Sequence, residues 1–205
     1  MREIVGGIFT WPWFSERHGY NFNGHLVRDP AGNLCIDPVA PDAATLDALG
    51  QLGVSRIIIT NRNHVRAANV VRTRTGAQTL LHSADAAYAR EQGAELDGGL
   101  RVGAKIGALV VIGVPGKSPG EVALHWPERR LLIAGDAVIG HPPGRCSLLP
   151  ERVMDDPSQL RTSVRRLLDL DFDTLLVGDG ESILTGAKEQ LHELVASFGP
   201  EPPVR

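Results

Sequence analysis

Three β-branched apolar residues stand in a row at Ile57, Ile58 and Ile59, and the chain turns polar directly after them. Such a run reads as a short strand buried on both faces. The tract Thr60-Asn61-Arg62-Asn63-His64-Val65-Arg66 follows, before Ala67-Ala68. Polar residues crowded past the C-terminal end of a buried strand lie where α/β folds place their sites.

The apolar pattern elsewhere predicts the remaining elements. Ile4 to Phe9 reads as an opening strand, and Trp11-Pro12-Trp13-Phe14 as an aromatic loop that caps the core, with a substrate-stacking lid as the alternative. Asn23–Val27 and Leu34–Asp37 flank an Asp/Pro/Gly/Asn turn and predict a β-hairpin. Pro41-Asp42 opens a helix with Leu46, Leu49 and Leu52 on one face, ending near Gly53. A second helix is expected over Ala67–Val71, a strand over Thr79–His82, and a helix from Ser83 to about Glu91, stopped by Gly93. Val102 to Val114 reads as paired strands. Val122–Trp126 and Leu131–Ala134 form a second hairpin about Pro127-Glu128-Arg129-Arg130. His141 to Pro150 is a loop. Leu160, Val164, Leu167 and Leu168 stripe a helix over Ser158–Leu170. Thr174–Val177 is a strand, and Leu184 to Phe198 a last helix.

Each half thus carries a hairpin, a helix and a buried strand ending in a polar turn. The expected fold class is α/β, a four-layer αββα sandwich, with one domain over 1–198 and a flexible tail over 199–205. A doubly wound parallel sheet is the rival, but the hairpins argue against it.

Composition narrows the function little. The 205 residues hold 42% hydrophobic and 22% charged side chains, ordinary for a globular domain. A net charge of -3, from 21 basic and 24 acidic residues, gives no general pull toward nucleic acid or membrane. No apolar run reaches the roughly 18 residues of a membrane span. The N-terminus lacks a signal peptide's apolar core. Cys35 and Cys146 are far apart and form no CxxC, so two buried thiols in a cytoplasmic protein are expected, with one disulfide as the alternative.

Among hydrolase motifs, no Gly-x-Ser-x-Gly elbow, dinucleotide fingerprint or P-loop is present. Ser118 beside Lys117 is a weak Ser-Lys candidate, adjacent rather than one helical turn apart. His82 and His125 read as edge or core histidines. His141 has only its position in the Pro-rich loop to suggest a role.

Four motifs in order carry a resemblance: Thr60 with the tract after it, Gly116-Lys117-Ser118-Pro119-Gly120, Ala134-Gly135-Asp136, and Val177-Gly178-Asp179-Gly180. With the first hairpin, they resemble the metallo-β-lactamase-fold superfamily across nearly the whole chain. Its members carry Thr-His-x-His-x-Asp-His, Gly-His-Thr-Pro-Gly, Gly-Asp and Gly-His-Gly at these places. The resemblance implies the αββα fold and a cleft where one or two metals, usually zinc, activate a water for hydrolysis. It also implies that Asp37, before Pro38, braces the first loop, and it allows a homodimer.

At the ligand positions the resemblance gives Asn61 and Asn63 for two histidines, Val65 for the aspartate, Arg66 and Lys117 for further histidines, and Asp179 for the last. Only Asp136, the bridging position, is retained. Carboxamides are poor zinc ligands, and protonated Lys or Arg are none. The expectation is a protein without its binuclear site, with no cofactor and no metal-dependent hydrolysis. In it Lys117 and Arg66 face Asp136 and Asp179 while Asn61 and Asn63 complete the shell, and the cleft takes a small polar or anionic ligand. The alternative is a divergent hydrolase with one metal, such as Mn, Mg or Zn, on Asp136, Asp179, Asn63 and His64. In the first reading His64, one position off a ligand slot, is a solvated or packed loop histidine. A third option makes Lys117 a base or nucleophile, against the pull of the two aspartates on its proton.

Overall fold

The computed structural model describes residues 1–199; the tail expected over 199–205 lies, from residue 200 onward, outside them. Two sheets face each other. The first holds β1 (Arg2–Val5), β2 (Ile8–Ser15), β3 (Tyr20–Val27), β4 (Asn33–Ile36), β5 (Val54–Ile59), β6 (Gln78–His82) and β7 (Gly98–Leu100), side by side in chain order. β1 to β4 pair antiparallel through short turns. β4 to β7 pair parallel, because helices α1 (Ala43–Leu52), α2 (Ala68–Thr75) and α3 (Ser83–Glu91) carry the chain back each time.

The second sheet runs β12 (Thr174–Leu176), β11 (Leu131–Ile133), β10 (Val122–Trp126), β9 (Leu109–Gly113), β8 (Lys105–Ile106). Helix α4 (Pro157–Leu167) makes the crossover from β11 to the parallel β12, and α5 (Ala187–Ala196) follows.

Three layers of packing hold the sheets and helices together, which makes the fold a four-layer αββα sandwich. Between the sheets, Ile8, Val27, Ile36 and Ile58 meet Leu109, Val111, Leu124 and Ile133. On the outer face of the first sheet, Leu26, Ile57 and Ile59 pack with Leu49 of α1 and Val71 of α2. On the outer face of the second, Leu132 and Leu175 pack with Leu160, Val164 and Leu167 of α4 and Leu191 of α5. The isoleucine run is explained by this: Ile57 and Ile59 point to the helices and Ile58 to the other sheet, and all three are fully buried. Burial of each contributes about 2 kcal/mol.

Several elements differ from the sequence reading. The opening strand is two strands, broken at Gly6-Gly7, where Gly7 has a positive φ of 75°. The aromatic stretch Trp11–Phe14 is not a loop. It continues β2, paired with β3 through Trp11↔Gly24 and Trp13↔Phe22. Pro12 is tolerated there because β1 reaches only Thr10, so no neighbour on that side needs its missing N–H. Trp11 does pack the core, with Nε1 donating to Val39 O at 3.0 Å. Helix α3 is capped by His82, not Ser83: its Nδ1 accepts from Ala84 N. The last helix starts at Ala187, after the left-handed Gly186, rather than at Leu184. Cys35 and Cys146 are buried free thiols. Among the described residues no helix is long and apolar enough to cross a membrane.

Candidate functional site

The polar turns at the ends of β5, β9, β11 and β12 converge. Each follows a strand that stops where its neighbours also stop, so their first residues meet at one mouth of the sandwich. The turn after β5 is held by Asp37, whose carboxylate accepts from Thr60 N at 2.8 Å and Thr60 Oγ1 at 2.5 Å. This is the bracing expected for Asp37. The Asn61 Oδ1 accepts from Asn63 N at 2.9 Å, which closes the turn locally. Between β9 and β10, Gly116 has a φ of 142° and lies against the backbone of Leu160, where a Cβ would overlap it. That close approach docks the Lys117 turn onto α4.

At the centre stands His64, fully buried rather than solvated. Its Nδ1 is 2.9 Å from Asp37 Oδ2 and its Nε2 is 2.9 Å from Asp136 Oδ1. Burial and the Arg66 guanidinium push its pKa down, but the two aspartates outweigh them and hold it at about 9. His64 is therefore an imidazolium at neutral pH. Lys117 Nζ lies 3.4 Å from Asp136 Oδ2 and donates to Asn63 Oδ1, with its side chain only 7% exposed. Arg66 Nη2 donates to Asp179 Oδ1 at 3.2 Å. Burial opposes ionisation of Asp136, yet His64, Lys117 and Arg66 keep its carboxyl well below the usual range. Asp179 has less help: burial and the Asp136 charge raise it to about 6.

The structure thus brings Asn61, Asn63, His64, Arg66, Lys117, Asp136 and Asp179 together. Three cations (His64, Arg66, Lys117) face three carboxylates (Asp37, Asp136, Asp179). His64, Asp136 and Asp179 can each offer one ligand atom to a metal ion, all within 4.8 Å of one another. Asn63 turns its amide oxygen to Lys117 instead. Ser118 does not pair with Lys117: its hydroxyl donates to Asp85 Oδ2 at 2.5 Å, and the same carboxylate accepts from Gly120 N and Arg62 N. His125 bonds to Asp171 O at 2.9 Å, away from the site. His141 is exposed and stacks on Tyr20, ring centres 4.9 Å apart.

Sequence reasoning missed Glu121. It is 1% exposed, and its Oε1 accepts from Asp136 N at 3.0 Å and Asn61 Nδ2 at 3.4 Å. Burial and the adjacent Asp136 push its carboxyl well above the ordinary value. Its place directly after Gly120 was the available signal. Also missed were Asn23 and His25 on β3, which tie the sheets together. Asn23 Nδ2 donates to the carbonyls of Val177 and Gly180, and His25 Nε2 bonds to Val177 O.

Beside the ion pairs opens a cavity of about 460 Å³, walled by Trp13, Phe22, Val39, Pro41 and Val70, with Arg66 as its charged group. The Arg66 guanidinium lies over the Phe22 ring at 4.3 Å.

Comparison with known proteins agrees with this architecture. A hydroxyacylglutathione hydrolase of Cereibacter sphaeroides (strain ATCC 17029) is 29% identical, over 96% of this chain and 73% of that protein. A metallo-beta-lactamase from Pontibacter korlensis superposes with a TM-score of 0.78 at 15% identity, covering 95% of this chain and 96% of that one. The metallo-beta-lactamase FIM-1 from Pseudomonas aeruginosa, solved in a mono-zinc form, gives 0.75 at 16% identity, covering 96% and 94%. The family description "Metallo-beta-lactamase superfamily" matches residues 5–198, and the chain belongs to that superfamily.

Proposed function

We propose that this protein carries an ion-pair cluster in place of a binuclear metal centre, that it does not perform metal-dependent hydrolysis, and that its cleft binds a small polar or anionic ligand. The observation that carries this reading is the seating of two side-chain cations on the site's two aspartates: Lys117 on Asp136 and Arg66 on Asp179.

The donor set does not fit two metals. Asn61 and Asn63 offer carboxamides, Val65 offers nothing, and Lys117 and Arg66 offer only N–H groups. Both oxygens of Asp136 already face cations, and one of Asp179 does. A dication entering among three positive side chains meets repulsion of about 4 kcal/mol per unit charge pair at 4 Å. Each of Asp37, Asp136 and Asp179 already faces a side-chain cation.

What the residues do follows from the same geometry. His64 and Lys117 hold Asp136 ionised and fixed. Asp179 orients Arg66 toward the cavity. Glu121 accepts from Asp136 N and Asn61 Nδ2 and so holds the turn that carries Asp136. A cytoplasmic location belongs to the same proposal, supported by the two buried free thiols.

The deciding experiment is elemental analysis of protein purified without chelator or affinity metal, together with an assay for hydroxyacylglutathione hydrolysis, the activity that names several relatives. The expected result is transition metal far below one equivalent and no hydrolysis above background.

A second reading has one observation in its favour. The ligand atoms of His64, Asp136 and Asp179 cluster, and Asp37 holds the other ring nitrogen of His64 as an outer carboxylate holds a ligating histidine. One metal there, with oxygen-rich ligation suited to Mn or Mg, would make the chain a divergent hydrolase. Stoichiometric metal, or a metal-dependent rise in Tm abolished by His64→Ala, would establish it and overturn the first reading.

A further inference from the structure

We propose that the cavity beside Arg66 binds a monocarboxylate carried on an apolar aliphatic or aryl body, with the carboxylate on Arg66 and the body against Trp13, Phe22, Val39, Pro41 and Val70. This rests on the metal-free reading above, because a metal on Asp179 would displace Arg66 from its partner.

The lining sets the ligand's body. The walls are aromatic and aliphatic, and a volume of about 460 Å³ is in the range of a small molecule rather than a polymer segment. Trp13 and Val70 are 44% and 51% exposed at its edge, with the Trp13 ring 5.8 Å from that of Phe22. The apolar body of a ligand would cover them.

The lining also sets the charge. Arg66 is the cavity's charged group, and its guanidinium is held over Phe22 with Nη2 fixed by Asp179. Its Nη1 is buried and has no hydrogen-bond partner. A carboxylate that draws the guanidinium toward the cavity would give this donor a charge-assisted partner. A single negative charge fits and a second does not. Beyond Arg66 lie Asp179 and Asp136, which already face side-chain cations. A phosphomonoester or dicarboxylate would bring an extra anion toward those aspartates. A cationic ligand would face Arg66 directly.

The test is isothermal titration of the full chain with octanoate and phenylacetate, against 1-octanol, 2-phenylethanol and octylamine. Octanoate or phenylacetate should bind saturably, the alcohols at least about tenfold more weakly, and the amine not at all, since one charge–guanidinium contact near the surface is worth over 1 kcal/mol. Arg66→Gln should abolish the preference for carboxylate. Because that change also strips Asp179 of its partner, a rim variant supplies the second measure. Val70→Asp should weaken octanoate about tenfold more than it weakens octanol, while Val70→Lys should raise the preference for octanoate over octanol. Equal binding of acid and alcohol, or an unchanged preference for octanoate over octanol in Val70→Asp, overturns the proposal. Metal content is read on the same preparation. Metal-free protein that ignores both acids overturns this inference alone, whereas stoichiometric metal overturns the metal-free reading and the inference with it.

Discussion

Lys117 places its ammonium 3.4 Å from the Asp136 carboxylate, in a site where both side chains are almost wholly out of water. A buried pair of this kind gains little over an apolar pair, but breaking it strands one charge. Lys117→Met should lower unfolding free energy in urea by about 3 kcal/mol. In a cycle with Asp136→Asn, the two changes should be non-additive by about 1–3 kcal/mol. Additive losses would mean that the contact carries no energy.

The imidazolium of His64 makes stability depend on alkaline pH. Its folded pKa, about 9, lies above the unfolded value of 6.5, so its contribution is complete below pH 6.5 and disappears as pH rises through 9. The facing groups are Asp37, Asp136, Thr60 and Arg66. The shift corresponds to a loss of about 3 kcal/mol across that window. His25 acts on the other side. Burial lowers its pKa, so its contribution falls only below pH 6.5. Denaturation midpoints measured from pH 6.5 to 8.5, below the ionisation of the thiols in the unfolded chain, should decline in the wild type and stay nearly flat in His64→Gln.

Both thiols should be inert in the native state. Burial pushes Cys146 up to about 12 and Cys35 higher still, so neither forms thiolate at pH 8. Titration with a disulfide reagent should find no reactive thiol in folded protein and two after denaturation. Fast labelling of Cys35 in the native state would contradict its place under α1 and α2.

Gly116→Ala should be costly far beyond a change in helix or strand preference. The residue has a φ of 142°, and an added methyl overlaps the Leu160 backbone at the start of α4. Rigid backbone cannot give way, so a loss of about 3 kcal/mol is expected. Thermal unfolding measures it. Gly93→Ala, with open space around it but a φ of 86°, should cost only about 1 kcal/mol.

Most of the fold was legible because burial on two faces leaves a plain mark. Ile57–Ile59, the stripe of Leu160, Val164 and Leu167, and the turns at Asp29–Asn33 and Pro127–Arg130 each named an element. Trp11–Phe14 misled because its edge-facing Pro12 and exposed Trp13 and Phe14 hide the alternation of β2. At the site, Asn61, Asn63, Arg66, Lys117, Asp136 and Asp179 could be picked out by place in the motifs. The position of His64 could not, since no spacing reveals that its ring swings between Asp37 and Asp136. Glu121 was hidden for a different reason. A carboxyl in sequence looks like a surface charge, and only the fold shows it buried beside Asp136.

The shared contacts among cations and aspartates also tie these positions to one another, since Asp136 meets both His64 and Lys117. A change at one of them alone, for example Lys117→His or Arg66→His, removes a positive charge from beside an aspartate and disturbs the contacts of its neighbours. Substitutions in this cluster are therefore best tolerated in compensating pairs, so that the residues change together or not at all.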